Sequence, residues 1–189
     1  MEEWLSKALA SGFSDTTQQA LRDAYFVSGG FVFARPTDFD HLIGQDDVFG
    51  ALRRLGILQG LIEAFQPLGL RRESEGLFVY VENGEQALHL ALSLSQFKEA
   101  QPLSIAVSAG EVFKSPKMEL FGEAIQRMRH LVTFARPHEL LVPRDLLEQF
   151  SLPQGIGVFS APEVLEEHLS FECAILRDFR SAVPMNDDG

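Results

Sequence analysis

Apolar positions recur along the chain with two periods, three-to-four and two, and the switches between them mark out its elements. Leu5, Ala8 and Leu9 make one helical stripe, and after Ser14-Asp15 as a cap, Leu21, Ala24 and Tyr25 make another. Residues 1–29 therefore read as two short helices, closed by Ser28-Gly29-Gly30. Residues 31–34 form a short apolar run of strand type, broken by Pro36 and followed by an acidic turn over residues 38–47. Val48, Leu52, Leu55, Leu58, Ile62 and Phe65 then recur at spacings of three and four, which lines one core-facing side of a long helix before Pro67 and Gly69 stop it.

Residues 70–72 and 77–81 read as a hairpin around Glu73-Ser74-Glu75-Gly76. A helix over residues 85–98 follows, then a strand at 103–107 that resumes after Gly110, a helix from Gly122 to about Phe134, a strand at 140–142, a short helix at 145–150 and a last strand at 171–176. The polar residues 184–189 read as a frayed tail. This order predicts an α/β chain, an α+β sandwich with helices against a mostly antiparallel sheet.

Composition narrows the function classes. The chain has 189 residues, 46% hydrophobic and 23% charged, so it holds enough apolar material for one well-cored domain. Lys plus Arg is 16 against Asp plus Glu at 27, a net charge of −11, which argues against nucleic-acid and membrane partners. The acidic start Met1-Glu2-Glu3 does not resemble a secretory leader, and the expected location is cytoplasmic. One cysteine, Cys173, leaves no intramolecular disulfide and reads as a small buried hydrophobe.

Several motifs stop short of a site. Ser108, Asp145 and His168 have the chain order of a hydrolase triad, but Glu111-Val112-Phe113 continues as strand where a nucleophile elbow needs a helix. The five histidines lack metal-ligand spacing, and Gly155-Ile156-Gly157 lacks the third glycine of a dinucleotide loop. Arg53-Arg54 and Arg71-Arg72 read as solvated charge.

Three stretches between Arg71 and Val142 carry a resemblance. Glu73-Ser74-Glu75-Gly76-Leu77-Phe78-Val79-Tyr80-Val81 resembles the hairpin T-G-D-G-F-L-A-x-F of the class III nucleotide cyclase homology domain, the catalytic fold of adenylate and guanylate cyclases. Ser104-Ile105-Ala106-Val107-Ser108-Ala109-Gly110-Glu111-Val112 resembles its R-x-G-L-H-x-G-E-V strand. Phe121-Gly122-Glu123-Ala124-Ile125-Gln126 through Ala135-Arg136-Pro137-His138-Glu139-Leu140-Leu141-Val142 resembles F-G-x-x-V-N through A-x-P-G-E-I-L-V. The resemblance implies a ferredoxin-like, cyclase-type fold. With it, the chain divides into a helical extension at 1–29, a cyclase-like domain at 30–180 and a flexible tail at 181–189.

The family's chemistry needs two metal-bearing aspartates, since two divalent ions activate the ribose hydroxyl and neutralise the triphosphate. At the first position, in Phe33-Ala34-Arg35-Pro36-Thr37-Asp38-Phe39-Asp40, this chain has Arg35; at the second it has Glu75, or Gly76 if the register slips by one. The family's transition-state Asn and Arg fall on Gln126 and His130, and a mostly neutral imidazole does not replace a guanidinium. Arg127 and Arg129 are neighbours in sequence, but at about 100° per residue they point off that face. The base-selecting lysine falls near Arg71, a candidate nucleotide contact, and its partner expected around residues 156–163 is not recognisable.

The resemblance therefore implies a degenerate, catalytically inactive cyclase-like domain with no metal or cofactor, serving as a regulatory or interaction module. Its expected partner is a second copy, another cyclase-like chain or a signalling protein. The alternatives are a nucleotide-binding effector sensor, with Arg71, Arg129 or Arg136 on phosphate, and a divergent active cyclase. The register further predicts that Arg35 and Glu75 face each other, the guanidinium standing where the ions would have been and pairing with the carboxylate. The other outcome is two solvated side chains.

Overall fold

The computed structural model describes residues 14–97, 102–115, 119–161 and 171–178. The first helix expected from the sequence and the polar tail lie outside them. Strand β1 (Phe26–Pro36) is the spine, pairing antiparallel with β3 (Leu77–Val81) on one side and β4 (Leu103–Lys114) on the other. Beyond β3 lies β2 (Gly69–Arg72); beyond β4 come β6 (Glu139–Pro143), β8 (Cys173–Asp178) and β7 (Ile156–Ser160), with the two-residue β5 (Leu120–Phe121) against the end of β4. The result is an eight-stranded sheet in which only the β4–β6 pairing is parallel.

Side chains alternate across this sheet with period two and feed two cores. Val32, Ala34, Leu77, Val79, Ile105 and Val107 face helices α3 (Val48–Glu63) and α4 (Gly84–Gln96), which contribute Leu55, Leu58, Ile62, Ala87 and Leu90. Phe31, Phe33, Phe78, Tyr80 and Ala106 face the opposite helix α5 (Glu123–Phe134), which contributes Ile125, Met128 and Leu131. Phe31 stacks on Tyr80 at 5.5 Å and on Phe78 at 6.1 Å. Burying each such ring is worth roughly 1.5–3 kcal/mol, so this aromatic row fixes the register of β1 against β3. Cys173 is buried in the same core.

The expected fold class is present, with local corrections. Residues 26–36 are one strand entered directly from α1 (Asp15–Tyr25), and Ser28-Gly29-Gly30 lies inside it rather than ending a section. The reason is steric: a Cβ on Gly30 would sit 2.1 Å from the Asn83 carbonyl oxygen, and one on Gly29 would sit 2.3 Å from the Tyr80 ring. The acidic turn contains a short helix, α2 (Phe39–Gly44). Strand β4 runs unbroken through Gly110, and β7 was not expected. The short helix is α6 (Arg144–Leu147). Ala51, Leu55, Leu58 and Ile62 are the buried face of α3, whereas Val48, Leu52 and Phe65 from the expected core stripe are exposed. Ser108 lies inside β4 at 1% exposure, opposite Phe31, far from a nucleophile elbow.

Candidate functional site

Two strand ends and one helix build the site. Arg35 is the second-last residue of β1, and the β2–β3 turn folds over it because Glu73 donates its amide to the Gly76 carbonyl at 2.9 Å. A Cβ on Gly76 would sit 2.6 Å from the Phe33 ring and 2.8 Å from the Ala34 carbonyl oxygen, so a residue without a side chain is needed where the turn presses on β1. That close approach sets Glu75 against Arg35: Nη1 donates to Oε2 at 2.9 Å. The Arg35 side chain is 23% exposed and the Glu75 side chain 40%, so one member of the pair is substantially shielded.

Arg35 Nε is buried and has no hydrogen-bond partner among the described residues. The same holds for Asp38 Oδ1, while Asp38 Oδ2 pairs with Arg54 at 3.2 Å. Glu75 is paired with the Arg35 guanidinium, and one oxygen of Asp38 with that of Arg54. Among the described residues, no group of three or more His, Cys, Asp or Glu side chains is arranged to hold a metal.

The other turn carboxylate, Glu73, is an anion for two arginines at once. Arg71 Nη2 lies 2.8 Å and Arg129 Nη2 2.6 Å from the same oxygen, Oε1, and the Glu73 side chain is largely buried. Arg71 also lies over the Phe78 ring at 5.2 Å, so its charge is held by the ring face as well as by the carboxylate. Arg71 is thus not the lone solvated charge that its dipeptide predicts. Beside it is a cavity of about 200 Å³. Phe78 and Tyr80 are in its wall, together with Lys114, which the sequence reading missed because β4 brings it there from a distant segment.

On α5, Gln126 and His130 are both exposed on the outer side, and the His130 ring packs 5.5 Å from Phe134. Arg129 and Arg127 each find a specific partner. Arg129 reaches the β2–β3 turn. Arg127 donates to Glu123 and, at 2.9 Å, to Asp145 on α6. Partial burial opposes the charge of Arg127, yet hydrogen bonds and attraction from Glu123 and Asp145 outweigh it and raise its pKa above the ordinary arginine value.

No family model matches the sequence, and no curated protein matches it. Solved structures do. The guanylate cyclase domain of RhGC from Catenaria anguillulae in complex with GTP superposes with a TM-score of 0.63 at 11% identity, covering 82% of this chain and 98% of that one. The adenylyl cyclase CyaB from P. aeruginosa gives 0.62 at 9% identity, covering 84% and 97%. The fold is that of class III nucleotide cyclase domains. A third cyclase-fold structure, the non-canonical dimeric guanylyl cyclase domain of the RhoGC fusion protein from Blastocladiella emersonii, gives 0.62 at 10% identity, covering 81% and 95%. Identities this low carry the cyclase fold alone. Among the described residues, no helix is long and apolar enough to cross a membrane.

Proposed function

We propose that this chain is a cyclase-fold domain that does not turn over nucleotide and acts as a regulatory or interaction module by pairing with a second cyclase-fold chain. The observation that carries the reading is the Arg35–Glu75 ion pair at 2.9 Å. Arg35 and Glu75 are the residues that motif matching sets at the two metal-bearing positions. An active domain needs both carboxylates free to hold ions, and here one is a cation and the other is neutralised by it. Gln126 and His130, matched to the transition-state pair, supply no fixed positive charge. Pairing as the mode of action is supported by the RhoGC domain, a cyclase-fold chain that forms a non-canonical dimer. The test is a product assay on the purified chain with ATP or GTP and Mn²⁺. No cyclic nucleotide above the protein-free blank is expected, and a robust rate from the isolated chain overturns the reading in favour of a divergent cyclase.

A second reading, a nucleotide-binding effector sensor, is favoured by one further observation: Arg71 and Arg129 converge on a single carboxylate oxygen beside a cavity walled by Phe78 and Tyr80. The RhGC domain in complex with GTP is a cyclase-fold chain of this kind with nucleotide bound. A thermal-shift panel of nucleotides separates the two readings. A melting shift without product supports the sensor, and no shift with any nucleotide supports the interaction module.

A further inference from the structure

The chain just past the end of α3 and the first turn of α4 meet beside the far end of β3, around a cavity of about 410 Å³. The Arg35–Glu75 pair is elsewhere: Glu75 leads into β3, whereas Val81 and Glu82, in the cavity wall, leave it. With about 3.3 Å per residue, the five residues of β3 set the two roughly 17 Å apart. No lysine or arginine lines this cavity, yet Glu82 and Glu85 do. Glu82 is engaged only by an amide: Gln86 Nε2 donates to its Oε2 at 3.1 Å, and the Glu82 N–H donates to Gln86 Oε1 at 3.3 Å. Among the described residues, the Glu85 carboxylate and the Gln66 side-chain amide have no hydrogen bond or ion pair at all.

An acidic residue in the first turn of α4 favours that helix end, but two carboxylates exceed what it needs. A helix N-terminus carries about half a positive charge and a C-terminus about half a negative one. The end of α3, with no basic residue in its last turn, therefore offsets the start of α4 and leaves both carboxylates uncompensated. The remaining walls are apolar. The Phe65 and His89 rings lie 6.3 Å apart, edge to face, and a ring face beside carboxylates attracts a cation. Leu68, 55% exposed, offers aliphatic surface next to them. These features also select the kind of cation. Among the described residues no group of three or more His, Cys, Asp or Glu is arranged to hold a metal, whereas an ammonium brings only N–H donors, which suits two carboxylates and the Gln66 amide oxygen. We propose that this cavity binds a small alkylammonium, its charged head at Glu82, Glu85 and Gln66 and its alkyl chain against Phe65 and Leu68. The site stands whichever reading of the nucleotide positions holds.

The test is a titration of the full chain with hexylamine hydrochloride near neutral pH, followed by two-dimensional amide NMR, with hexanol as the uncharged isostere. Saturable shifts confined to residues 64–68 and 81–90 are expected, with a Kd of about 1 mM and roughly tenfold weaker binding of hexanol. Glu85→Gln is expected to weaken hexylamine binding roughly tenfold. Phe65→Leu, which keeps apolar bulk and removes the ring face, is expected to weaken it roughly threefold. Glu148→Gln removes the same charge from the exposed end of α6 and is expected to leave the Kd unchanged. Phe65 and Glu85 are both exposed, so each variant is expected to melt within about 2 °C of wild type, which separates loss of the site from loss of fold. Absence of saturable shifts overturns the proposal, as does equal binding of hexanol or equal loss in Glu85→Gln and Glu148→Gln. So does displacement of hexylamine by millimolar Mg²⁺, which marks an inorganic-cation site. Roughly tenfold tighter binding of Nα-acetyl-lysine methylamide also overturns it, making the occupant a lysine side chain of a partner protein rather than a free amine.

Discussion

Arg129 on α5 donates from Nη2 to Oε1 of Glu73 at 2.6 Å, across 56 positions of sequence. The bond fastens the β2–β3 turn to the helix that covers the aromatic side of the sheet, and Arg71 fastens the same oxygen from the adjoining strand. Glu73 is thus the internal counter-anion of a two-arginine fork. Both arginines are about half exposed, so each pair is expected to be modest in energy.

Glu73→Gln is expected to cost about 1 kcal/mol, or about 3 °C in Tm for a chain of this size. A double-mutant cycle with Arg129→Met should recover a coupling of about 0.5 kcal/mol, shrinking in high salt. The same substitution frees two guanidiniums. Under the sensor reading, Glu73→Gln is expected to raise affinity for inorganic triphosphate roughly tenfold, measured by calorimetry; no gain counts against that reading.

The Arg35–Glu75 pair predicts an asymmetry. Removing Glu75 strands a shielded guanidinium whose Nε already lacks a partner among the described residues, whereas removing Arg35 leaves a carboxylate that water reaches. Glu75→Gln is therefore expected to cost about 1 kcal/mol and Arg35→Met about 0.3 kcal/mol by urea denaturation. Equal costs would place both side chains in bulk solvent. Restoring two carboxylates by Arg35→Asp with Glu75→Asp should produce a Mn²⁺-dependent rise in Tm that Arg35→Ala does not show; Mn²⁺ leaving the double variant unmoved counts against these two positions as metal positions.

Glycines in this fold divide by what surrounds them. Gly30 lies against the Asn83 carbonyl, so Gly30→Ala forces backbone apart and is expected to cost about 3 kcal/mol. Gly60 faces open space, so Gly60→Ala is expected to stabilise by roughly 0.5–1 kcal/mol. Guanidinium melts of the two variants should move in opposite directions.

That contrast explains what the sequence could reveal. Strands buried on both faces are rich in apolar residues wherever they occur, so 31–34 and 77–81 were legible. A glycine pair, however, looks the same whether it ends an element or admits a neighbouring carbonyl, so Gly29-Gly30 reads as an end in the sequence and lies inside β1 in the structure. On α3, periodicity marked the helix but not its buried side, because Leu52 and Phe65 keep the spacing of a core stripe while facing out. At the site, the Arg35–Glu75 pairing followed from motif register. The Arg129–Glu73 bond did not, since a helix wheel reports the direction of a side chain and not the turn waiting 56 residues away.

Arg127 ties α5 to α6 through Glu123 and Asp145, and its ring contact with Phe171, 5.0 Å away, adds the segment that leads into β8. Its pKa is raised in the folded chain, so the associated stabilisation is complete below the ordinary arginine value and is lost only as pH climbs through the raised one. Between about pH 6 and about pH 9 the arginine remains charged in both states. Arg127→Ala is therefore expected to lower stability by about 0.5–1 kcal/mol, by the same amount at each pH in that window. Arg127→Lys keeps the charge but not the fork that reaches Glu123 and Asp145 together, and is expected to recover less than half of the loss. Urea melts of the three proteins across the window provide the measurement, and a loss in Arg127→Ala that changes with pH would show that this clamp is governed by a group other than the guanidinium.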